Sequence, residues 1–105
     1  MTIEVRNNPE RHRYEILIAD EVVGYADYDR QGDTIAIPHT FVDPDRRGEN
    51  LARQLVGFAL DDIRAQQLYV LPACPYVQRV IARNRDAYLD LVPAGDRAAY
   101  GLGDD

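Results

Sequence analysis

The chain of 105 residues contains no lysine and no tryptophan, and its only cysteine is Cys74. All 12 basic residues are therefore arginine, which excludes a lysine base, a Schiff-base lysine and self-modification on lysine. A single cysteine cannot form a disulfide within the chain, and this fits a reducing, cytoplasmic setting. The two histidines, His12 and His39, do not combine with Cys74 in the spacing of a metal site, so we expect no metal cofactor.

Long apolar runs are missing as well. No run approaches the ~20 residues that a membrane-spanning helix needs, and the first residues lack the apolar stretch of a signal peptide. The formal net charge is -6 at pH 7. Nucleic acids and anionic membranes both attract basic surfaces, so we expect neither as a partner. An acidic surface favours a cationic partner such as an amine.

Hydrophobic residues make up 46% of the chain, enough for one compact domain with a modest core. We expect residues 3–92 to form this domain and the Gly- and Asp-rich residues 93–105 to form a flexible tail. Alternating apolar and polar residues predict four strands joined by tight turns, hence an antiparallel sheet. These strands are expected near residues 2–6, 14–19, 22–28 and 34–42.

The third and fourth predicted strands carry the most detail. Val23 and Tyr25 are expected on one face, and Gly24 between them predicts the close approach of another segment. Pro38 interrupts the fourth strand, and because proline cannot donate to a strand ladder it predicts an edge or a β-bulge. Period-two spacing predicts a common face for Ile35, Ile37, His39 and Phe41.

The second half of the chain predicts a helix, a strand and a helix. Apolar residues three and four apart predict a first helix from about Asn50 to Gln66, and residues 68–74 are expected to form a fifth strand. Pro75 suits the first turn of a second helix, which ends near Asn84. The first helix can connect two parallel strands. The predicted fold class is therefore α+β, a mixed and mostly antiparallel sheet of about five strands with two packed helices.

The segment from Asp45 to Ala52 joins the fourth strand to the first helix and has the composition of an anion site. A helix start offers free backbone N–H groups and the positive end of the helix dipole. Glycine at position 48, with arginines before it, would let an anionic group approach the backbone closely. The alternative is an ordinary exposed helix start that the side chain of Asn50 caps.

With this order of elements, the chain resembles the GNAT superfamily of acyl-CoA-dependent N-acetyltransferases. It is most similar to the small YjdJ-type GNAT-like domains, which lack the helices usually found between the first two strands. Here only residues 8–13 fill that gap. The resemblance covers about residues 3–92 and implies a minimal GNAT fold. It is carried by Ile37-Pro38-His39-Thr40, Arg47-Gly48 and Pro72-Ala73-Cys74-Pro75-Tyr76-Val77.

The resemblance implies acetyl-CoA as co-substrate and a pyrophosphate loop of the pattern Gln/Arg-x-x-Gly-x-Gly/Ala. This chain has Asp45, Gly48 and Asn50 at the three defined positions, so the first and the third depart from the pattern. Asn50 is larger than the usual residue and could crowd the pyrophosphate, cap the helix or hydrogen-bond a phosphate oxygen.

The implied cofactor site extends beyond the loop. The pantetheine arm would pair with the backbone of Phe41 and Val42, where the fourth and fifth strands separate after Pro38. Arg79 and Arg83 on the last helix would reach the adenosine phosphates, unless both are ordinary surface charges. The predicted cofactor-binding residues are Phe41, Val42, Arg46, Arg47, Gly48, Glu49, Asn50, Leu51, Ala52, Arg79 and Arg83.

The resemblance also implies three catalytic candidates. His39 is a general-base candidate, because imidazole titrates near neutral pH, or else a packed histidine. Tyr76 resembles a tyrosine that protonates the leaving thiolate in some relatives, or else it is a core aromatic. Cys74 would line the acyl site or act as an acyl-carrying nucleophile, or else it is a buried structural cysteine.

The implied reaction is transfer of acetyl from acetyl-CoA to an amine, of a small molecule or a protein, by direct attack. The departures at Asp45 and Asn50 leave open a coenzyme A-binding module that is weakly active or inactive. A ligand-free protein interaction domain is a second alternative. The missing helices would expose a sheet edge, so we expect a monomer or a weak homodimer.

Overall fold

The first half of the chain forms an antiparallel meander of four strands. The computed structural model describes residues 2–103, apart from the side chains of residues 47–49. The strands are β1 (Ile3–Asn8), β2 (Arg13–Ile18), β3 (Glu21–Gln31) and β4 (Thr34–Val42). Each pairs with the next, as predicted, and a 3₁₀ turn at Pro9–Arg11 joins β1 to β2.

A helical crossover adds the fifth strand. Helix α1 (Leu51–Ala65) leads to β5 (Tyr69–Leu71), which pairs in parallel with β4 and completes the sheet order β1-β2-β3-β4-β5. Helix α2 (Pro75–Arg83) and the short helix α3 (Arg85–Tyr88) follow. The α+β prediction is therefore confirmed. No helix within residues 2–103 has both the length and the hydropathy required to cross a membrane.

The core lies between α1 and one face of the sheet, which we call the inner face and which carries Tyr14, Ile16 and Ile18 of β2. Apolar residues recur every three or four positions along α1, so one side of the helix is buried from Leu51 to Ile63. Full burial of one such side chain contributes about 1.5–3 kcal/mol. The opposite, outer face carries Glu15, which is 1% exposed despite its charge.

A β-bulge in β4 reverses the faces of the residues that follow it. Asp27 pairs with His39 but Asp29 pairs with Ala36, so Ile37 and Pro38 together oppose one residue of β3. The bulge predicted at Pro38 is confirmed. The common face predicted for the four alternating residues of β4 is wrong, because the extra residue shifts the side-chain period by one. Ile35 and Ile37 are buried in the core, whereas His39 and Phe41 are exposed.

A second bulge lies in β3. Ile16 pairs with Gly24 but Leu17 pairs with Val22, which leaves Val23 as the extra residue. Val23 is buried in the core, while Tyr25 lies on the outer face with its ring centroid 5.4 Å from that of Phe41. The prediction that Val23 and Tyr25 share a face is therefore wrong.

The close approach predicted at Gly24 is confirmed. A Cβ atom at this position would lie 2.8 Å from the carbonyl oxygen of Phe41 and 3.0 Å from Cγ2 of Ile16. Only glycine leaves room for β4 and β2 to pack at these distances.

The segment after residue 92 forms 3₁₀ turns at Ala94–Asp96 and Ala98–Tyr100. Leu102 is 1% exposed within the core, and Nε of Arg97 donates a 3.0 Å hydrogen bond to the carbonyl oxygen of Val92. These contacts attach the segment to the domain. The boundary at residue 92 and the flexibility of residues 93–105 stay predictions.

Candidate functional site

β4 and β5 separate in the middle of β4. Their last pair is Ala36 with Leu71, and beyond it the backbone N–H of Cys74 donates a 2.8 Å hydrogen bond to the carbonyl oxygen of Ile37. β4 continues to Val42, and within residues 2–103 no strand pairs with this last part on the β5 side. A gap between the two strands therefore opens at the bulge of β4, close to the position predicted from Pro38.

The helix that starts beside this gap has an unusual first residue. Asn50 precedes α1 in the left-handed conformation, with φ 58° and ψ 34°, and its side chain makes no capping hydrogen bond. The alternative in which its side chain caps the helix is therefore wrong. Asparagine is one of the few residues other than glycine that adopt this conformation readily. The left-handed backbone gives a physical reason for an asparagine at the last position of the loop pattern.

The loop before the helix, Pro44–Glu49, forms two short 3₁₀ turns separated by a kink at Arg46, whose φ is -118° and ψ 21°. Oδ1 of Asp43 accepts a 3.0 Å hydrogen bond from the backbone N–H of Asp45. The guanidinium of Arg46, a predicted phosphate contact, lies 3.7 Å from a carboxylate oxygen of Glu21. The side chains of Arg47, Gly48 and Glu49 lie outside the described part of the chain. The N–H groups in the first turn of a helix have no partner within that helix, so the first turn of α1 offers donors to a ligand.

A cavity of about 220 Å³ lies between the start of α1 and α2. It brings together four of the predicted site residues: Asn50 from α1, and Tyr76, Arg79 and Arg83 from α2. The described residues that line it are Asn50, Arg53, Tyr76, Arg79, Val80, Arg83 and Asn84. Among these described side chains are three guanidinium groups, two amides and no carboxylate, in a chain of net charge -6.

The sequence analysis missed Arg53. This residue lies one turn after Asn50 on the same side of α1, and its guanidinium is 5.9 Å from the ring centroid of Tyr88. A Cβ atom on Gly57 would lie 2.6 Å from Nη1 of Arg53, so this glycine leaves room for the arginine. The signal available in the sequence was a basic residue three positions after Asn50, in the first turn of the helix.

The described contacts of the cavity arginines are with aromatic rings rather than with carboxylates. Arg79 lies over the ring of Tyr76, 5.7 Å from its centroid, and this cation–π contact orients the guanidinium. Among the side chains that the structure describes, none of Arg53, Arg79 and Arg83 forms an ion pair. Their positive charge is therefore available to an anionic ligand.

The three catalytic candidates occupy different environments. Tyr76 is partly buried at the cavity. Cys74 is 6% exposed within the core. His39 is exposed on the outer face, where its ring centroid is 6.1 Å from that of Tyr25. In the described part of the chain no hydrogen bond links the side chains of His39 and Cys74.

Phe41, Val42, Leu51 and Ala52 are the other predicted cofactor residues, and it is their backbone rather than their side chains that faces the gap and the helix start. The Phe41 side chain is 41% exposed on the outer face, and Val42 packs against the core. Leu51 is 1% exposed, so its N–H group is the part that a ligand could reach, and Ala52 is partly buried. Nearby, Oγ1 of Thr40 is buried and has no hydrogen-bond partner in the structure.

Among the side chains that the structure describes, no three of His, Cys, Asp or Glu are grouped as metal ligands would be. The described site consists of arginines, amides and the gap in the sheet.

Comparison with known proteins identifies this arrangement. No curated protein matches the chain. Among solved structures, a GCN5-like candidate N-acetyltransferase from Staphylococcus aureus superposes with a TM-score of 0.64 at 17% identity, over 86% of this chain and 87% of the other. Ribosomal-protein-alanine N-acetyltransferase from Brucella melitensis biovar Abortus 2308 superposes with a TM-score of 0.51 at 18% identity, over 80% of this chain and 62% of the other.

At such identities the two superpositions establish a shared fold. The sequence match is more specific, because the family described as GCN5-related N-acetyl-transferase matches residues 13–91. This range includes the whole of β2 to α3, the gap between β4 and β5 and the arginine-lined cavity. The chain therefore belongs to the GCN5-related N-acetyl-transferase family.

Proposed function

We propose that the chain binds acetyl-CoA and transfers its acetyl group to an amine by direct attack. The observation that carries this proposal is the cavity at a helix start whose described lining has three arginines and no carboxylate, in a chain of net charge -6. Coenzyme A carries a diphosphate and a further phosphate, and guanidinium groups and free N–H groups are the donors that bind such anions.

The ligand would lie along the gap in the sheet. Its phosphates would contact Arg53, Arg79 and Arg83 and the first N–H groups of α1. The pantetheine arm would run along the unpaired edge of β4 beside Phe41 and Val42, as an added strand does. The thioester would then reach the bulge, where β4 and β5 meet.

The chemistry requires a neutral amine, a polarised carbonyl and a proton for the departing thiolate. A backbone N–H freed by the bulge would polarise the carbonyl. Tyr76 lies at the cavity and would give its proton to the thiolate. Because His39 is exposed on the outer face, it would deprotonate an amine that approaches from that side. The amine nitrogen would form a bond to the acetyl carbon as the bond from that carbon to sulfur breaks.

Calorimetry with acetyl-CoA tests the binding step. Gly48→Asp adds bulk and a negative charge to the loop directly before the N–H groups of α1 that would meet phosphate, and we expect it to abolish binding in a folded protein. Replacing Arg79 or Arg83 by Gln should weaken binding about 10- to 100-fold, the value of a charge-assisted hydrogen bond. Arg11→Gln removes the same charge from an exposed turn outside the cavity and is the matched control. Unchanged affinity in folded Gly48→Asp and in both arginine variants would contradict the proposal.

Turnover with a panel of small amines and amino-terminal peptides tests the transfer step. A second candidate function, coenzyme A binding without catalysis, is supported by the departures from the loop pattern at Asp45 and Asn50. Tight binding without release of free thiol from acetyl-CoA for any amine would favour that candidate. Action in the cytoplasm, as a monomer or weak homodimer, is part of the proposal.

A further inference from the structure

One buried polar atom of the structure has no partner. Oγ1 of Thr40 is buried and forms no hydrogen bond in the structure. Buried polar atoms are almost always hydrogen-bonded, because an unpaired one has lost its contacts with water and gained nothing in return. Such an atom needs either a structural or a ligand-based explanation.

The position of Thr40 relates this atom to the gap in the sheet. Thr40 follows the bulge and pairs with Ala26, a core residue, so its side chain lies on the inner face. Both α1 and α2 pack against β4. On its other edge β4 has no partner strand beyond Ile37 within residues 2–103. The hydroxyl therefore lies on the part of β4 that borders the gap.

Packing alone does not account for the hydroxyl. Valine has nearly the same shape as threonine and would fill the same space without burying an oxygen. The packing of the Thr40 side chain requires only its size and shape. The oxygen atom therefore has no role in the ligand-free fold.

We propose that the Thr40 hydroxyl hydrogen-bonds an amide of the pantetheine arm of acetyl-CoA. This inference rests on the proposed function, since it assumes that the arm enters the gap. A hydroxyl can donate to an amide carbonyl or accept from an amide N–H, and the arm carries two amides and a thioester. A strand rises about 3.3 Å per residue, so Thr40 lies about 10 Å beyond Ile37, on the side of the gap that leads to the phosphates.

Two variants and two ligands test the inference. Thr40→Val removes the oxygen and keeps the shape, whereas Thr40→Ser keeps the oxygen. Acetyl-CoA contains the arm, whereas adenosine 3′-phosphate 5′-diphosphate contains only the nucleotide part of coenzyme A. In Thr40→Val we expect the ligand-free protein to melt about 4 °C or more above the wild type, because a buried unpaired oxygen is gone.

The same variant should bind acetyl-CoA about 3- to 10-fold more weakly, the value of one neutral hydrogen bond, and bind the nucleotide as the wild type does. Thr40→Ser should retain acetyl-CoA affinity within about twofold. A purely structural role of the hydroxyl would not make Thr40→Val more stable and at the same time weaken its binding of acetyl-CoA but not of the nucleotide.

Several results would overturn the inference. Unchanged acetyl-CoA affinity in Thr40→Val would show that the hydroxyl does not contact the arm. Equal weakening for both ligands, or weakening in Thr40→Ser to the level of Thr40→Val, would indicate a general disturbance. A lower melting temperature in Thr40→Val would show that the oxygen has a partner within the protein. If the wild-type protein binds acetyl-CoA no more tightly than the nucleotide, the inference fails but the proposed binding of coenzyme A stands. If the wild-type protein binds neither ligand, the proposed function fails as well.

Discussion

The backbone N–H of Cys74 donates a 2.8 Å hydrogen bond to the carbonyl oxygen of Ile37. This bond joins the residue before α2 to the bulge of β4, at the closed end of the gap. The backbone of Cys74 is extended, with φ -72° and ψ 128°, as expected for a residue before proline. The thiol thus lies next to the proposed thioester site, yet it is 6% exposed and belongs to the core.

We expect Cys74→Ala to retain measurable acetyl transfer, because amines attack thioesters directly and the structure shows no base hydrogen-bonded to the thiol in its described part. Mass spectrometry after incubation with acetyl-CoA alone should show no stoichiometric acetyl-protein. An acetyl adduct on Cys74 that is released by amine, together with an inactive alanine variant, would establish the two-step route instead.

His39→Gln should reduce turnover about 10²- to 10⁴-fold with little change in acetyl-CoA affinity, the effect of losing a general base. His12→Gln, which removes the other imidazole of the chain from an exposed turn outside the gap, is the matched control. A His39→Gln enzyme that keeps most of its activity would make His39 a surface residue of the fold.

Asn50→Ala should lower the free energy of unfolding by about 1 kcal/mol, because alanine lacks the short polar side chain that lets asparagine adopt the left-handed backbone at φ 58°. Asn50→Gly should stay within ~0.5 kcal/mol of the wild type, because glycine adopts this backbone freely. Both can be measured by urea unfolding.

The Asn50 amide makes no capping bond and lines the cavity, so we expect it to contact phosphate and Asn50→Gly to weaken acetyl-CoA binding about 3- to 10-fold. Tighter binding in Asn50→Gly would show instead that this side chain crowds the pyrophosphate.

Gly24→Ala should destabilise the fold by about 1–3 kcal/mol, because its Cβ would lie 2.8 Å from the carbonyl oxygen of Phe41 and the neighbouring backbone must move. Gly95→Ala is the matched control, since a Cβ there meets nothing within 4 Å. Chemical denaturation of both variants measures the difference. Equal stabilities would mean that β3 and β4 adjust to the added methyl group at no cost.

Glu15 should make the fold sensitive to acid. Burial alone would raise the pKa of this carboxyl, but hydrogen bonds from Arg13, Arg6 and Asn8 outweigh burial and hold the pKa below its usual value of 4.5. The pKa is lower in the folded state than in the unfolded one. The stabilisation is therefore fully present above pH 4.5 and is lost as the pH falls through the folded-state pKa.

Urea unfolding between about pH 3 and pH 7 tests this linkage. Glu15→Gln should cost about 1–3 kcal/mol at pH 7 and should flatten the acid side of the stability profile. Glu10→Gln, at an exposed position in the turn after β1, is the control. Parallel profiles for the wild type and Glu15→Gln would contradict the assignment.

Local sequence signals were enough to predict the order of the strands and helices. The predicted limits of β4, residues 34–42, agree with the structure, and Pro38 marked its bulge. The side of the sheet on which His39 lies could not be predicted from spacing, because one extra residue in a strand reverses every later side chain. The same reason explains the error at Val23 in β3.

Features that depend on tertiary contacts were not accessible from the sequence. The left-handed backbone at Asn50 follows from the 3₁₀ segment before it, which the composition of the loop did not indicate. Arg53 became a site residue only when α2 was placed beside α1. Likewise, the 2.8 Å hydrogen bond from the Tyr14 hydroxyl to Asp62 joins residues 48 positions apart in the chain.

The parallel ladder between β4 and β5 consists of three residue pairs and is the one ladder of the sheet whose two strands are connected through an α-helix. Contacts between sequence neighbours form early in folding, whereas contacts across a long crossover form late. We therefore expect the meander to assemble before Tyr69–Leu71 docks, and backbone amides of this strand to exchange hydrogen faster than those of β2. The proposed cofactor gap would then be the last part of the molecule to form and the first to open.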